Sequence, residues 1–157
     1  STQTDFVRTH AAAARDAAAA SGIPAEFMVA QAAHESGWGR REIRHADGSS
    51  ANNLFGIKAG PGWTGKVAEI TTTEYVGGVA HKVTAKFRAY DTPADSFRDY
   101  ARLMKDSPRY SQVLANAGSA QGFAQGLQRA GYATDPAYAD KLTRVINTTL
   151  RVARSLA

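Results

Sequence analysis

Glu35 closes the run Gln31-Ala32-Ala33-His34-Glu35-Ser36-Gly37-Trp38-Gly39, an alanine-rich helical pattern followed at once by two glycines flanking a tryptophan. A carboxyl held against apolar surface resists ionisation, which is how a general acid stays protonated near neutral pH. Trp38 is expected to supply that surface, and the glycines to end the helix and open the chain at a cleft edge. An ordinary solvated Glu near a helix C-terminus is the competing reading, so the chemistry depends on finding a partner.

Glycosidases pair an acid that protonates the leaving oxygen with a second carboxylate or with the substrate's own acetamido group. Between Lys66 and Tyr90 the hydrophobic period changes to two, and Gly77-Gly78 separates two runs, Val67 to Val76 and Val79 to Tyr90. That pattern predicts a β-hairpin with a two-residue turn. The register then sets Glu74 opposite His81, Thr72 opposite Val83, Ile70 opposite Ala85 and Ala68 opposite Phe87. Glu74 falls on the apolar face with Ile70, Val83 and Phe87, where a charge is costly without a partner. It is either a second catalytic carboxylate or half of a Glu74–His81 cross-strand pair at an exposed tip; Glu69, on the polar face, reads as solvated.

Other segments offer substrate contacts. In Asn52-Asn53-Leu54-Phe55-Gly56-Ile57-Lys58, Asn53 and Lys58 could bond sugar groups while Phe55 packs on a ring, with Leu54 and Ile57 reading as core. Phe55 as a core plug, with the asparagines making turns, is the alternative. Trp63, in a Gly-rich loop, is a candidate stacking platform. Tyr132 stands in the irregular stretch Gly131-Tyr132-Ala133-Thr134-Asp135-Pro136, where its hydroxyl could orient substrate or steady developing positive charge. Trp38 and Tyr138 complete the expected groove.

Three patterns mislead. His34-Glu35 begins like the zinc signature H-E-x-x-H, but Trp38 stands where the second ligand belongs. Gly60-Pro61-Gly62-Trp63-Thr64-Gly65-Lys66 imitates a phosphate-binding loop, yet Val67 replaces the magnesium-holding Ser or Thr and a strand follows instead of a helix. Asn147-Thr148-Thr149 is a sequon inside an expected helix. No metal and no cofactor is expected.

Helices are expected over 2–21, from Pro24 to Glu35, over 40–44, from Thr92 as N-cap, over 108–117 and 119–130, and from Asp135-Pro136 to the C-terminus. The fold class is α+β, mostly helical, with a lysozyme-like α-lobe and a small β-hairpin lobe at about 66–90. A single catalytic domain over 1–157 is expected, because 157 residues suffice for one core and no long linker divides them. Without cysteine there are no disulfides or thiol nucleophiles. No apolar run approaches the roughly 20 residues of a membrane span, so no membrane insertion is expected. The chain opens at Ser1 rather than Met and is expected to be a fragment. A net charge of +5 favours acidic partners. The basic residues are scattered, with aromatics placed among glycines, so nucleic acid is not an expected partner.

Gln31 to Gly39, Asn53 to Lys58, Ile70 to Tyr75, and Ala130 to Leu142 together, in this order, resemble the wall-cleaving domains of flagellar proteins in glycoside hydrolase family 73, the β-N-acetylglucosaminidases. The resemblance covers nearly the whole chain. It implies a lysozyme-like fold and cleavage of peptidoglycan glycan strands after N-acetylglucosamine. It also implies a periplasmic setting at the flagellar basal body, with rod components as partners. Glu35 matches the family's general acid, Glu74 its second acidic residue and Tyr132 its auxiliary tyrosine. His34 departs from the apolar residue that precedes the acid in the family pattern. A muramidase or lytic transglycosylase on the same polymer, and a non-catalytic wall-binding module for the rod, are the rival readings.

Overall fold

The computed structural model describes all of residues 1–157. Its elements in chain order are α1 (Thr2–Ser21), α2 (Ala25–Ser36), β1 (Val67–Val76), β2 (Val79–Arg88), α3 (Pro93–Asp106), α4 (Ser111–Ala115), α5 (Ala120–Arg129) and α6 (Tyr138–Leu156). A single 3₁₀ turn, Pro108–Tyr110, leads into α4. No helix is long and apolar enough to cross a membrane.

The centre of the α-lobe is α2. Eight of its twelve residues are buried, and it packs against both α1 and α6. A helix apolar on nearly every side must lie inside a bundle, and the small alanines at 30, 32 and 33 let its neighbours approach closely. Around it, Met28, Phe55, Phe97, Tyr100, Phe123, Leu127, Leu142 and Ile146 form one continuous core. Gly22 ends α1 in the left-handed conformation, and the Thr92 side chain caps α3 as its type predicts.

The hairpin forms with the expected register: Glu74 pairs with His81, Ile70 with Ala85 and Ala68 with Phe87. Gly77 and Gly78 have φ of +58° and +79°, the paired left-handed conformations of a type I′ turn. The second strand stops at Arg88 rather than Tyr90, because the backbone N–H of Tyr90 donates to Ala51 O and turns the chain towards α3. Ala51, Ala68 and Ala89 make a second small core under the strand bases.

One expected element is absent. Residues 40–44 are turn and extended chain, with Arg44 bridging Ser50. Gly37, Trp38 and Gly39 all take positive φ (+59°, +59° and +86°), which swings the chain away from any helical continuation. The last helix also starts later than expected. Asp135 Oδ1 accepts the N–H of Ala137 in a turn, and the helix proper begins at Tyr138.

Arg88 and Asp99 lock the hairpin base to α3 at 2.9 Å, both largely buried, and the Tyr90 hydroxyl donates to the same Asp99 oxygen at 2.5 Å. Removing one partner of such a pair strands a buried charge, typically at a cost of 3–5 kcal/mol. Asp99→Ala is expected to destabilise the protein by about 3 kcal/mol in urea unfolding. Arg98→Ala, which breaks a more exposed pair with Asp95, is expected to change it by less than about 0.5 kcal/mol.

Candidate functional site

A cleft of about 550 Å³ runs between the α-lobe and the hairpin. Its walls carry Glu35, Glu74, Lys58, Arg88, Tyr132 and Asp135, with Gly56 close to the acid. The structure thus brings together both carboxylates singled out in the sequence, and Tyr132 with them.

Glu35 lies in the last turn of α2, where the helix carbonyls present partial negative charge and disfavour an anion. Burial pushes its carboxyl up to about 7, opposed only by a hydrogen bond that the Tyr138 hydroxyl donates to Oε1 at 3.1 Å. No cation pairs with it. Gly56, at φ +64°, presses its backbone against the carboxyl: a Cβ there would lie 3.6 Å from Oε2. Glycine suits this position because it permits the conformation.

The apolar surround of Glu35 is not the one expected. Trp38 sets its ring edge-on to Phe6, 5.8 Å away, and lines a shallow groove beside His34 and Lys141 outside the cleft. Its positive φ aims the indole away from the acid. Tyrosines take its place. The rings of Tyr100, Tyr110, Tyr132 and Tyr138 gather at centroid distances of about 6 Å. Burial raises the Tyr100, Tyr132 and Tyr138 hydroxyls well above the usual phenol range, so they stay neutral donors.

Four further expectations change. Phe55 is fully buried, stacked on Tyr100 at 4.2 Å and edge-on to Phe97, so it has no face to offer a sugar. Asn53 is also buried. Its Nδ2 donates to Ile57 O and Arg88 O while its Oδ1 accepts from Phe55 N and Ile57 N, so it folds the loop instead of reading substrate. Tyr138 is 2% exposed and holds Glu35 from behind rather than lining the groove. Trp63 is not part of the cleft wall: its indole N–H donates to Lys66 O, and the Arg88 guanidinium covers its ring at 4.7 Å.

The Glu74 side chain does not bond to that of His81, its neighbour across the hairpin. The hairpin tip bends onto the α-lobe, where Lys58 donates to Glu74 Oε1 and the Thr134 hydroxyl donates to Oε2 at 3.1 Å. The backbone N–H of Tyr75 donates to the Thr134 hydroxyl at 2.8 Å. Lys58 is therefore at the cleft, as expected, with its charge directed at the second carboxylate. Tyr132 forms part of the cleft wall, and its hydroxyl donates to Phe55 O at 2.5 Å, pinning the loop that carries Gly56. Arg109 holds the other side of the Tyr132 loop through Ala130 O and Gly131 O, both at 2.6 Å.

Gln31, Gly56, Thr134 and Arg109 are the site residues that sequence reasoning did not single out. Gln31 carried a readable signal, a polar side chain inside an otherwise apolar helical run. The other three depend on contacts between distant segments.

A model of the family described as mannosyl-glycoprotein endo-beta-N-acetylglucosaminidase matches residues 11–151. The peptidoglycan hydrolase FlgJ of Escherichia coli (strain K12) is 54% identical over 126 residues, covering 80% of this chain and 40% of that protein. FlgJ of Salmonella typhimurium is 49% identical over 142 residues, covering 90% of this chain and 45% of that protein. The chain thus spans less than half the length of these relatives. The crystal structure of a peptidoglycan hydrolase from Sphingomonas sp. A1 aligns with a TM-score of 0.85 at 46% identity, over 98% of this chain and 95% of that one. The family model and these matches agree with the fold: the chain belongs to the endo-β-N-acetylglucosaminidase family.

Proposed function

We propose that the chain hydrolyses the glycan strands of peptidoglycan as an endo-β-N-acetylglucosaminidase. The observation that carries this reading is Glu35, a carboxyl held protonated to about pH 7 in a cleft whose opposite lobe presents Glu74. Glu35 donates a proton to the glycosidic oxygen as the bond breaks. Glu74 activates water or steadies the oxocarbenium-like charge on the sugar, and Tyr132 assists by shaping the wall beside them. Lys58, paired with Glu74, holds that second carboxylate at the cleft wall. The relatives named peptidoglycan hydrolase support the choice of polymer, and the positive net charge favours approach to an acidic wall. By the same relationship we place the protein in the periplasm at the flagellar basal body, clearing wall for the rod and contacting rod components.

Mass spectrometry of digested peptidoglycan tests the bond that is cut. Wild-type protein is expected to release fragments with a reducing N-acetylglucosamine end; reducing or anhydro muramic ends would transfer the assignment to a muramidase or a lytic transglycosylase. Glu35→Gln is expected to lower turnover by about 10³-fold, within the range typical of general acids, with wall binding retained. Unchanged wall clearing by this variant would instead favour a binding module. Because the acid must be protonated to act, activity is expected to fall as pH rises through about 7.

The same burial has a stability consequence. Unfolded, Glu35 ionises near its ordinary value of 4.5; folded, it holds its proton to about 7. The folded state is therefore favoured below pH 4.5, loses that advantage between 4.5 and 7, and carries the full cost above. At about 1.4 kcal/mol per unit this cost approaches about 3 kcal/mol. Glu35→Gln is thus expected to melt higher than wild type at pH 8 and to converge with it at pH 4, read by thermal unfolding at the two pH values.

A further inference from the structure

The environment of Glu35 contains an ordered chain of hydrogen bonds that gives its two oxygens different roles. Gln31, one helical turn before Glu35 on α2, is fully buried. Its Oε1 accepts the hydroxyl proton of Tyr100 from α3. Its Nε2 donates to the hydroxyl oxygen of Tyr138 from α6 at 3.4 Å, and Tyr138 in turn donates to Glu35 Oε1 at 3.1 Å.

The direction of this chain follows from the chemistry of the amide. A tyrosine hydroxyl has one proton, and an amide has one donating and one accepting end. With Nε2 facing Tyr138, the Tyr138 proton is left free for Glu35. With the amide reversed, Tyr138 would donate to Gln31 and Glu35 would lose its donor. Tyr100, giving its proton to Oε1, selects the first arrangement.

We propose that Gln31 is a positioning residue that acts through Tyr138 to hold a donor on Glu35 Oε1, leaving Oε2, the oxygen beside Gly56, as the one that carries and delivers the catalytic proton. Protonated at Oε2, Glu35 uses Oε1 only as an acceptor. As the O–H bond of Oε2 breaks and its proton passes to the glycosidic oxygen, negative charge spreads to Oε1. The bond from Tyr138 then becomes charge-assisted and strengthens, so it stabilises the transition state more than the ground state. The remaining titratable groups facing Glu35 are Tyr100 on α3 and Tyr132 before α6, both neutral. Glu74, Lys58, Arg88, Arg109 and Asp135 stand around the cleft without bonding to it.

This inference rests on Glu35 being the acid, and the two ideas fail in different ways. Gln31→Met keeps length and shape while removing both ends of the amide, and Tyr138→Phe removes the donor directly. In Tyr138→Phe the alkaline limb of the kcat/KM profile is expected to move up by about one pH unit, because the charged form of Glu35 loses its donor. Its limiting kcat is expected to fall about tenfold with KM nearly unchanged, equivalent to the free energy of one pKa unit. In Gln31→Met, which leaves Tyr138 its proton but removes the amide that orients it, both changes are expected in the same direction and smaller. In the double variant, adding Gln31→Met to Tyr138→Phe is expected to move the limb no further, since one acts through the other.

Titration of the Glu35 carboxyl by ¹³C NMR gives the same comparison without catalysis and in any variant that stays folded. An unmoved Glu35 titration in Gln31→Met, or additive shifts in the double variant, overturns the role of Gln31. Full activity in Glu35→Gln overturns the acid itself.

Discussion

The constraint on which this structure turns is a single carboxyl, largely buried at the cleft wall, with no cation paired to it. A Glu can be buried without a counter-charge only if it gives up its own charge, and Glu35 does so up to about pH 7. Much else in the α-lobe serves that condition. The all-round burial of α2 holds the backbone of Glu35 rigid. Phe55 fills the volume beside the site, and the Tyr132 hydroxyl ties the Phe55 carbonyl in place so that Gly56 can close over Oε2. Tyrosines surround the acid more effectively than leucines would. Their rings exclude water, and their hydroxyls stay neutral while satisfying polar atoms that would otherwise be stranded. No buried side-chain nitrogen or oxygen lacks a hydrogen-bond partner.

The hairpin obeys a different logic. Its base is fastened by the Arg88–Asp99–Tyr90 cluster and by Asn53, which stitches the 53–57 loop to the carbonyl of Arg88. Its outer half has no such packing: Val76 and Val79 at the turn are 64% and 58% exposed. What holds the tip is the contact of Glu74 with Lys58 and Thr134, together with the Tyr75 N–H on the Thr134 hydroxyl. These are polar, partly solvated interactions, each worth little against solvent. The residue proposed as the second carboxylate is therefore also one of the few attachments that hold its lobe against the cleft.

How much of this the sequence made legible depended on the range of the interaction involved. The hairpin register is local: a Gly-Gly turn and a period of two suffice to place Glu74 opposite His81 and on the inner face. The Thr92 cap and the Gly22 stop are local as well. The helical period through Gln31 and Glu35 likewise needs no distant partner. Where the outcome hung on distant segments, pattern reading erred. A loop aromatic beside glycine has no period to betray burial, so the pattern offers Phe55 to substrate, whereas stacking on Tyr100, forty-five residues on, fixes it in the core. Proximity in sequence sets Trp38 against Glu35, but positive φ at three successive residues turns it to Phe6. The helix expected at 40–44 failed for the same reason. Tyr138 is expected in the groove, and that it instead lies buried behind Glu35 follows only from how α6 crosses α2.

The division between the two carboxylates follows from how each is built. A proton donor must present one defined oxygen to one defined atom, and small displacements are costly in rate. On the proposed reading, placing the acid on a deeply packed helix, with its orientation set through Tyr138 and a buried amide, supplies that precision at the expense of stability above neutral pH. A group that activates water or balances spreading positive charge has a less exacting task, because electrostatic attraction falls off gradually with distance. It can stand on a hairpin held by a lysine and a threonine. On the proposed reading, the proton donor thus stands on the rigidly packed wall of the cleft and the second carboxylate on the wall held by a few polar contacts.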